Sequence, residues 1–307
     1  MNLNQNELKK KFGKNIIFQE SLSKYSWFNL GGPAKIMFKP ESVEQLTNFL
    51  RYINKSNDSM KITCLGAGSN TLIRDGGFNG VIVKLSSKFS YINILEENVL
   101  EVGAGTLDKT LSRYAAENSI ANFEFLSCIP GSVGGAIIMN SGCYGDEISN
   151  IFISLKAIDY NGNIREIKND EIKFVYRGTN LPEDLIILSV KLHASKGDKN
   201  LIKEKISNYS QKKKESQPSQ IKTCGSTFKN PKDKKAWELI KNSNGNLLSF
   251  GKASISKKHS NFFVNEGGAS SNDIEKLIYF VKQNVFEKYK INLDLELKII
   301  GESNDNE

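Results

Sequence analysis

Apolar residues fall mostly in short blocks along this chain, and a helical period emerges in only a few places. Ala34 to Lys39 reads as a strand that Pro40 ends, and Ser42 with Gln45 three residues on forms a capping box for a helix. Val43, Leu46, Leu50 and Ile53 then recur at the spacing of an amphipathic helix. Together these make a small α+β unit that ends near Ser59. From Lys61 the pattern changes to short strands broken by glycine: Ile62 to Leu65, Gly80 to Leu85 and Val99 to Val102. One helix interrupts them, with Leu107, Leu111, Tyr114 and Ala115 on its apolar face. Further on, Leu185 to Leu188 is apolar without a break inside a strand from Asp184 to Lys191, which predicts burial on both faces.

The stretch from Gly197 to Gln217 is lysine-rich and partly helical, and reads as a connector. Beyond it, Asn272 with Glu275 predicts the N-terminus of the clearest helix, whose apolar face is Ile274, Leu277, Ile278, Val281, Val285 and Tyr289. Leu293, Leu295 and Leu297 alternate with Asp294, Glu296 and Lys298 in a final strand, and the polar residues after Gly301 read as a frayed tail. A chain of 307 residues is too long for one ordinary core. Its length suits two or three domains.

Composition narrows the class. Hydrophobic residues make up 39% and charged residues 25%, the balance of a folded, water-soluble protein. No apolar run approaches the roughly 20 residues that cross a bilayer. The opening residues from Met1 lack the layout of a secretory signal, so the expected compartment is the cytoplasm, with no membrane partner. Cys64, Cys128, Cys143 and Cys224 fall at wide spacings without a CxxC pair, and read as reduced thiols with no metal site. The formal charge of +8 comes from 42 basic and 34 acidic residues. The lysines are scattered, with no basic stripe interleaved with aromatics, so no nucleic-acid partner is expected. A solvated lysine-rich surface and a phosphorylated small-molecule partner both account for the excess.

Five segments carry candidate chemistry. In Leu65-Gly66-Ala67-Gly68-Ser69-Asn70-Thr71, two glycines one residue apart turn successive N–H groups into one concavity that suits an anion. A dinucleotide fingerprint of the Rossmann type requires a third glycine where Thr71 stands. The loop is therefore either a phosphate cradle of another kind or a tight hairpin. The second segment, Ile129-Pro130-Gly131-Ser132-Val133-Gly134-Gly135-Ala136, runs on to Asn140, Gly142 and Gly145. Each glycine inside structured backbone costs about 1 kcal/mol against alanine, so five of them call for a reason. Close approach to a planar ring and its phosphates is one, and an exposed loop is the other; Ala136 to Met139 argues against exposure.

Tyr176-Arg177 offers a planar fork for a carboxylate or phosphate, or is a surface pair. Gly225-Ser226-Thr227-Phe228 places a hydroxyl beside glycine, in a reactive position or in a plain turn. It fails as a hydrolase elbow because Phe228 stands where GxSxG requires glycine. Glu296, on the polar face of the final strand, is solvated or functional.

In this order, the five segments resemble the UDP-N-acetylenolpyruvoylglucosamine reductase family. The resemblance begins at Trp27-Phe28-Asn29-Leu30-Gly31-Gly32-Pro33 and includes Lys258 to Asn265, so it spans nearly the whole chain. It implies an α+β fold: a two-part FAD-binding module of the vanillyl-alcohol-oxidase-like type over 1–60 and 61–205, and a substrate domain over 206–307. It further implies bound FAD, NADPH as co-substrate, a UDP-linked enolpyruvyl amino sugar as substrate, and a role in peptidoglycan synthesis. A monomer is expected. Carried over by motif, the catalytic residues are Arg177, Ser226 and Glu296, with Asn230 on the substrate. FAD falls to Gly66, Ala67, Gly68, Ser69, Asn70, Thr71, Pro130, Gly131, Ser132, Gly134, Gly135, Asn140 and Gly142. Two positions depart from the family pattern, Cys224 for a small residue and Thr179 for serine. No long insertion follows Tyr176-Arg177, which implies the shorter form without a tyrosine-bearing loop.

Overall fold

The computed structural model describes residues 4–56, 60–96 and 98–304. The chain folds into two compact units, neither continuous in sequence. The first comprises Met1–Phe18, Ile36–Ala67 and Gly80–Lys212; the second comprises Gln19–Lys35, Gly68–Asn79 and Lys213–Glu307.

In the first unit, helix α1 (Gln5–Phe12) is capped by the Asn4 side chain, and α2 (Val43–Lys55) by Ser42, whose Oγ accepts the Gln45 N–H at 3.1 Å. Only half of the expected capping box forms, because Gln45 Oε1 takes the Glu41 N–H at 2.7 Å instead of that of Ser42. Leu46, Phe49, Leu50 and Ile53 of α2 are buried, with Phe49 stacked on Phe38 at 3.8 Å between ring centroids. The strand Lys61–Cys64 runs parallel to Phe78–Val83.

A five-stranded antiparallel sheet forms the rest of this unit's frame, in the order Ile164–Lys168, Phe152–Asp159, Leu185–His193, Val99–Gly103, Ile92–Glu96. Its central strand is apolar on both faces, as the unbroken run predicts. Leu185 and Ile187 join a core with Leu111 and Val133, while Ile186 and Leu188 join another with Leu46 and Phe49. Val190 and Leu192 belong to the first of these cores, and the change of phase falls at a register shift opposite Lys156 and Ala157.

Helix α3 (Asp108–Glu117) departs from expectation at its start. Leu107 is the N-cap residue and 52% exposed, whereas Asp108 and Ser112 are buried beside Leu111 and Ala115. The helix therefore begins a residue later than the apolar pattern suggests and turns a carboxylate inward. The second glycine segment is in part a short helix, α4 (Val133–Ile138), which buries Val133, Ala136 and Ile137. The lysine-rich connector forms one helix, α5 (Lys199–Ser216), with Ile202 and Tyr209 buried.

The second unit has its own core of Phe28, Leu30, Leu72, Phe228, Phe263, Leu293 and Leu297, packed on α6 (Ala236–Asn242) and α7 (Ser271–Tyr289). The buried face of α7 is the expected one. Its cap lies two residues earlier than Asn272: Ser270 Oγ accepts the Asp273 N–H at 3.0 Å, and Asp273 Oδ2 accepts the Ser270 N–H at 2.9 Å. Of the final strand expected over Leu293 to Lys298, only Lys298 lies in regular strand, Lys298–Ile300, which runs parallel to Thr71–Ile73. Gly32 and Gly77 bring two loops into direct backbone contact; a Cβ on Gly32 would lie 2.1 Å from Asp75 O, and one on Gly77 would lie 2.1 Å from Pro33 O. The boundary expected near Ser59 and the last residues of the polar tail fall outside the described residues. Glu302, within that tail, is tied to the fold by its N–H on Gly77 O at 2.8 Å.

Candidate active site

The first glycine loop straddles the division of the chain: Leu65 to Ala67 belong to the first unit, Gly68 to Thr71 to the second. Its backbone donors are free. Among the described residues, none of the N–H groups of Gly66, Ala67, Gly68, Ser69 and Asn70 has a protein acceptor. Gly68 must be glycine, since its φ is +70° and a Cβ there would lie 1.8 Å from Tyr25 O. The Gly68 carbonyl accepts the Trp27 N–H at 3.0 Å. A trans peptide points its C=O and N–H in opposite directions, so this bond turns the Ser69 N–H the other way. The Asn70 side chain is committed within the second unit, with Nδ2 donating to Glu296 O at 2.9 Å.

Within the first unit, the second segment closes on the start of the first. A Cβ on Gly66 would lie 2.9 Å from Ser132 Oγ, and one on Gly134 would lie 3.1 Å from Ala104 Cβ. Val133 and Gly134 donate their N–H groups to Thr106 O and Ala104 O, while those of Gly131, Ser132 and Gly135 have no protein acceptor among the described residues. Asn140 is buried and engaged on both sides of its amide: Nδ2 donates to Val175 O, and Oδ1 accepts the Ser149 N–H, each at 3.2 Å. Gly142 O accepts Arg177 Nη2 at 2.9 Å. Arg177, at φ +57°, is the second residue of a two-residue turn joining Phe174–Val175 to Gly178–Thr179, and its guanidinium lies 5.0 Å from the centroid of the Tyr176 ring.

In the second unit, backbone pairing brings the segment after Ser226 against the segment that holds Glu296. Thr227 O accepts the Glu296 N–H at 2.9 Å, Lys229 donates its N–H to Asp294 O at 2.8 Å, and Phe228 bridges Leu295. Ser226 is therefore one residue from the partner of Glu296, and both are half-buried. Gly225, at φ +77°, provides the turn that leads into the serine. Asn230 stands apart from this pair and spends its Oδ1 on the Ala236 N–H at 2.9 Å, at the start of α6. Cys224 Sγ lies 3.4 Å from Thr71 O and 3.6 Å from Gly68 O, and burial pushes its thiol up to about 11.

Two polar residues near the loops escape a reading of the sequence alone. Lys84 follows the apolar run Val81 to Val83 and looks like a solvated strand end; it is half-buried and donates through Nζ to Gly66 O. Asp108 looks like an ordinary first-turn acid. Its carboxyl is fully buried with no partner for either oxygen among the described residues, and a Cβ on Gly131 would lie 2.5 Å from its Oδ2. Burial pushes this carboxyl well above the usual range.

Open donors on two glycine-rich segments that approach each other at Gly66 and Ser132, with Lys84 on Gly66 O, fit the diphosphate and ring of a dinucleotide. Residues 34–168 match the family model described as "FAD binding domain", which defines the class: a flavoprotein. Residues 217–300 match the model described as "UDP-N-acetylenolpyruvoylglucosamine reductase, C-terminal domain". The chain is 46% identical over 288 residues to the UDP-N-acetylenolpyruvoylglucosamine reductase of Pelagibacter ubique (strain HTCC1062), covering 93% of this chain and 94% of that protein. It is 42% identical to the protein of the same name from Rickettsia akari (strain Hartford), over 92% of this chain and 94% of the other. The crystal structure of UDP-N-acetylenolpyruvylglucosamine reductase from Thermus caldophilus superposes with a TM-score of 0.80 at 29% identity, covering 93% of this chain and 98% of that one. The chain belongs to the UDP-N-acetylenolpyruvoylglucosamine reductase family and is an FAD-containing oxidoreductase. Among the described residues, no helix is long and apolar enough to cross a membrane.

Proposed function

We propose that this enzyme reduces the enolpyruvyl group of UDP-N-acetylglucosamine enolpyruvate to UDP-N-acetylmuramate, with NADPH as electron donor, as a monomer in the cytoplasmic stage of peptidoglycan synthesis. The reading assigns FAD to 1–60 and 61–205 and the substrate to 206–307. The observation that carries it is the pairing of residues 227–229 with 294–296, which leaves Ser226 one residue from the backbone partner of Glu296, while Asn70 joins Glu296 to the first glycine loop.

FAD, held at the glycine-rich segments, would supply the two-electron redox chemistry between NADPH and the enolpyruvyl double bond. The protein's own groups manage the charge and the proton. Hydride addition leaves negative charge on the carbon beside the substrate carboxylate, spread into that carboxylate as an enolate. Arg177 offers guanidinium donors for that charge, and Glu296, if it is protonated, offers a further one. A carbanion-like centre is basic enough for an ordinary hydroxyl to protonate, so Ser226 serves as the general acid. The left-handed turn at Arg177 and its bond to Gly142 fix the guanidinium before substrate arrives. The net charge of +8 suits a substrate bearing a diphosphate and a carboxylate.

The test separates the half-reactions. Ser226→Ala is expected to leave reduction of the bound flavin by NADPH near wild type, and to slow its reoxidation by substrate by a factor on the order of 100 or more. Equal loss of both half-reactions in a folded, FAD-loaded variant would remove Ser226 from its role.

A further inference from the structure

Lys84 sits where its charge lacks an answer from the protein. It lies at the end of the strand Phe78–Val83, whose residues Val81 and Val83 are in the hydrophobic core, and its backbone N–H bonds to Phe38 O at 2.9 Å. The side chain reaches to the first glycine loop and donates to the carbonyl of Gly66. That carbonyl is neutral. Among the described residues no carboxylate pairs with Lys84; the titratable groups that act on it are Cys64 and Lys39. Burial pushes the Cys64 thiol up to about 11, so it stays protonated and brings no negative charge at neutral pH. Lys39 is a cation and adds repulsion.

A half-buried ammonium without a counter-ion is costly, and lysines in such places are ordinarily paired. This one is aimed at the start of the first glycine loop, where within the same unit the N–H donors of Gly66 and Ala67 have no acceptor among the described residues. The two observations are independent: one concerns an unanswered charge, the other unanswered backbone donors. Both call for negative charge at the same point of the chain.

We propose that Lys84 is the counter-cation of the FAD diphosphate, held against Gly66 O in advance so that the cofactor's charge completes an ion pair the protein lacks. This rests on the placement of the diphosphate at Gly66 to Asn70. Lys84 thereby trades stability of the empty protein for affinity toward the cofactor. Most residues that support a loop stabilise the empty and loaded forms alike, so the opposed effects on the two forms mark this role.

The measurements use the full chain, freed of FAD reversibly, with FAD, ADP and adenosine as probes. Lys84→Met is expected to weaken FAD binding by about tenfold or more, equal to about 1.4 kcal/mol. ADP binding, followed by displacement of FAD, falls by a similar factor, while adenosine binding is unchanged. The same variant raises the thermal midpoint of the FAD-free protein. Lys84→Arg, which keeps the charge, restores most of the affinity for both FAD and ADP. Wild-type affinity for FAD declines more steeply with added salt than that of Lys84→Met. Unchanged FAD affinity in Lys84→Met overturns the proposal, as does equal loss for ADP and adenosine. A drop in the FAD-free midpoint that Lys84→Arg fails to repair shows a structural strut and overturns it too. If wild-type protein binds FAD tightly but ADP no better than adenosine, the placement of the diphosphate itself is wrong, a distinct failure from that of Lys84.

Discussion

Asp108→Asn tests the reasoning about burial most directly. The side chain of Asp108 is fully buried on α3, and Ser112, one turn on, has an unpartnered hydroxyl on the same face. A buried polar group left without a partner costs about 1–3 kcal/mol, and asparagine, of the same shape, retains most of that cost. The difference between the two residues lies in the proton. The folded protein holds the carboxyl in its neutral form above the range where the unfolded chain has released it, because burial raises the carboxyl well above 3.8. Between those two values the folded state binds one more proton than the unfolded state. Stability is therefore full below the unfolded value and falls as pH rises, by about 1.4 kcal/mol per pH unit, until the folded carboxyl ionises.

Asparagine has no such dependence. Urea unfolding of wild type and Asp108→Asn should give a constant offset at acid pH. Above about pH 4 the variant should gain on wild type with that slope. Infrared difference spectra taken just above the pH at which the unfolded chain ionises should show a protonated carboxylic C=O band in wild type that the variant lacks. Parallel stability curves across the whole range would refute the reasoning, since they would mean that Asp108 ionises in the folded protein as it does in water.

Two further outcomes follow from the packing of the second unit and the turn geometry. Gly68→Ala meets both a left-handed φ and a backbone oxygen at 1.8 Å, whereas Gly145→Ala meets only φ +95° with nothing within 4 Å. Alanine at 145 should cost about 1–2 kcal/mol and alanine at 68 at least about 3 kcal/mol, read from urea midpoints; equal costs would mean that the loop near Tyr25 yields freely. Arg74 holds Glu275 by a two-pronged pair, Nε–Oε1 and Nη2–Oε2, both at 2.8 Å, with both side chains partly exposed. A double-mutant cycle with Arg74→Ala and Glu275→Ala should give a coupling of about 1 kcal/mol that shrinks in high salt; zero coupling at low salt would count against that geometry.

Much of the local structure was legible because it depends on residues close in sequence. The period of Val43 to Ile53 and of Ile274 to Val285 marks α2 and α7, and the unbroken Leu185 to Leu188 marks a strand covered on both faces. Errors cluster at helix starts. Leu107 and Asp108 are adjacent, and the apolar pattern alone favours the leucine for the core; the structure exposes the leucine and buries the acid. At α7, Asn272 and Ser270 are both good caps, and the choice falls to Ser270 because Asp273 returns the bond while Glu275 is drawn away to Arg74. Nothing within a window of a few residues around α7 reveals the arginine 201 positions away.

The glycine-rich and aromatic motifs were conspicuous in the sequence, but their partners were not. Phe28 and Leu30, in the early Trp27 to Pro33 segment, share a core with Phe228, Phe263 and Leu297, so the second unit is assembled from three separate stretches of chain. Division by changes of texture cannot find such a unit, because a segment of seventeen residues, Gln19 to Lys35, carries no core of its own. The same holds at the site. Asn70, read as a cofactor ligand, has its amide on Glu296 O, and the backbone of Thr227 holds the N–H of that same glutamate. Glu296 is thus gripped at both ends of its own backbone, once from the first glycine loop and once from the strand that presents Ser226. An acid of ordinary sequence context is held in one position by its main chain. Pattern alone does not mark this placement, because both hydrogen bonds come from residues distant in sequence, Asn70 and Thr227.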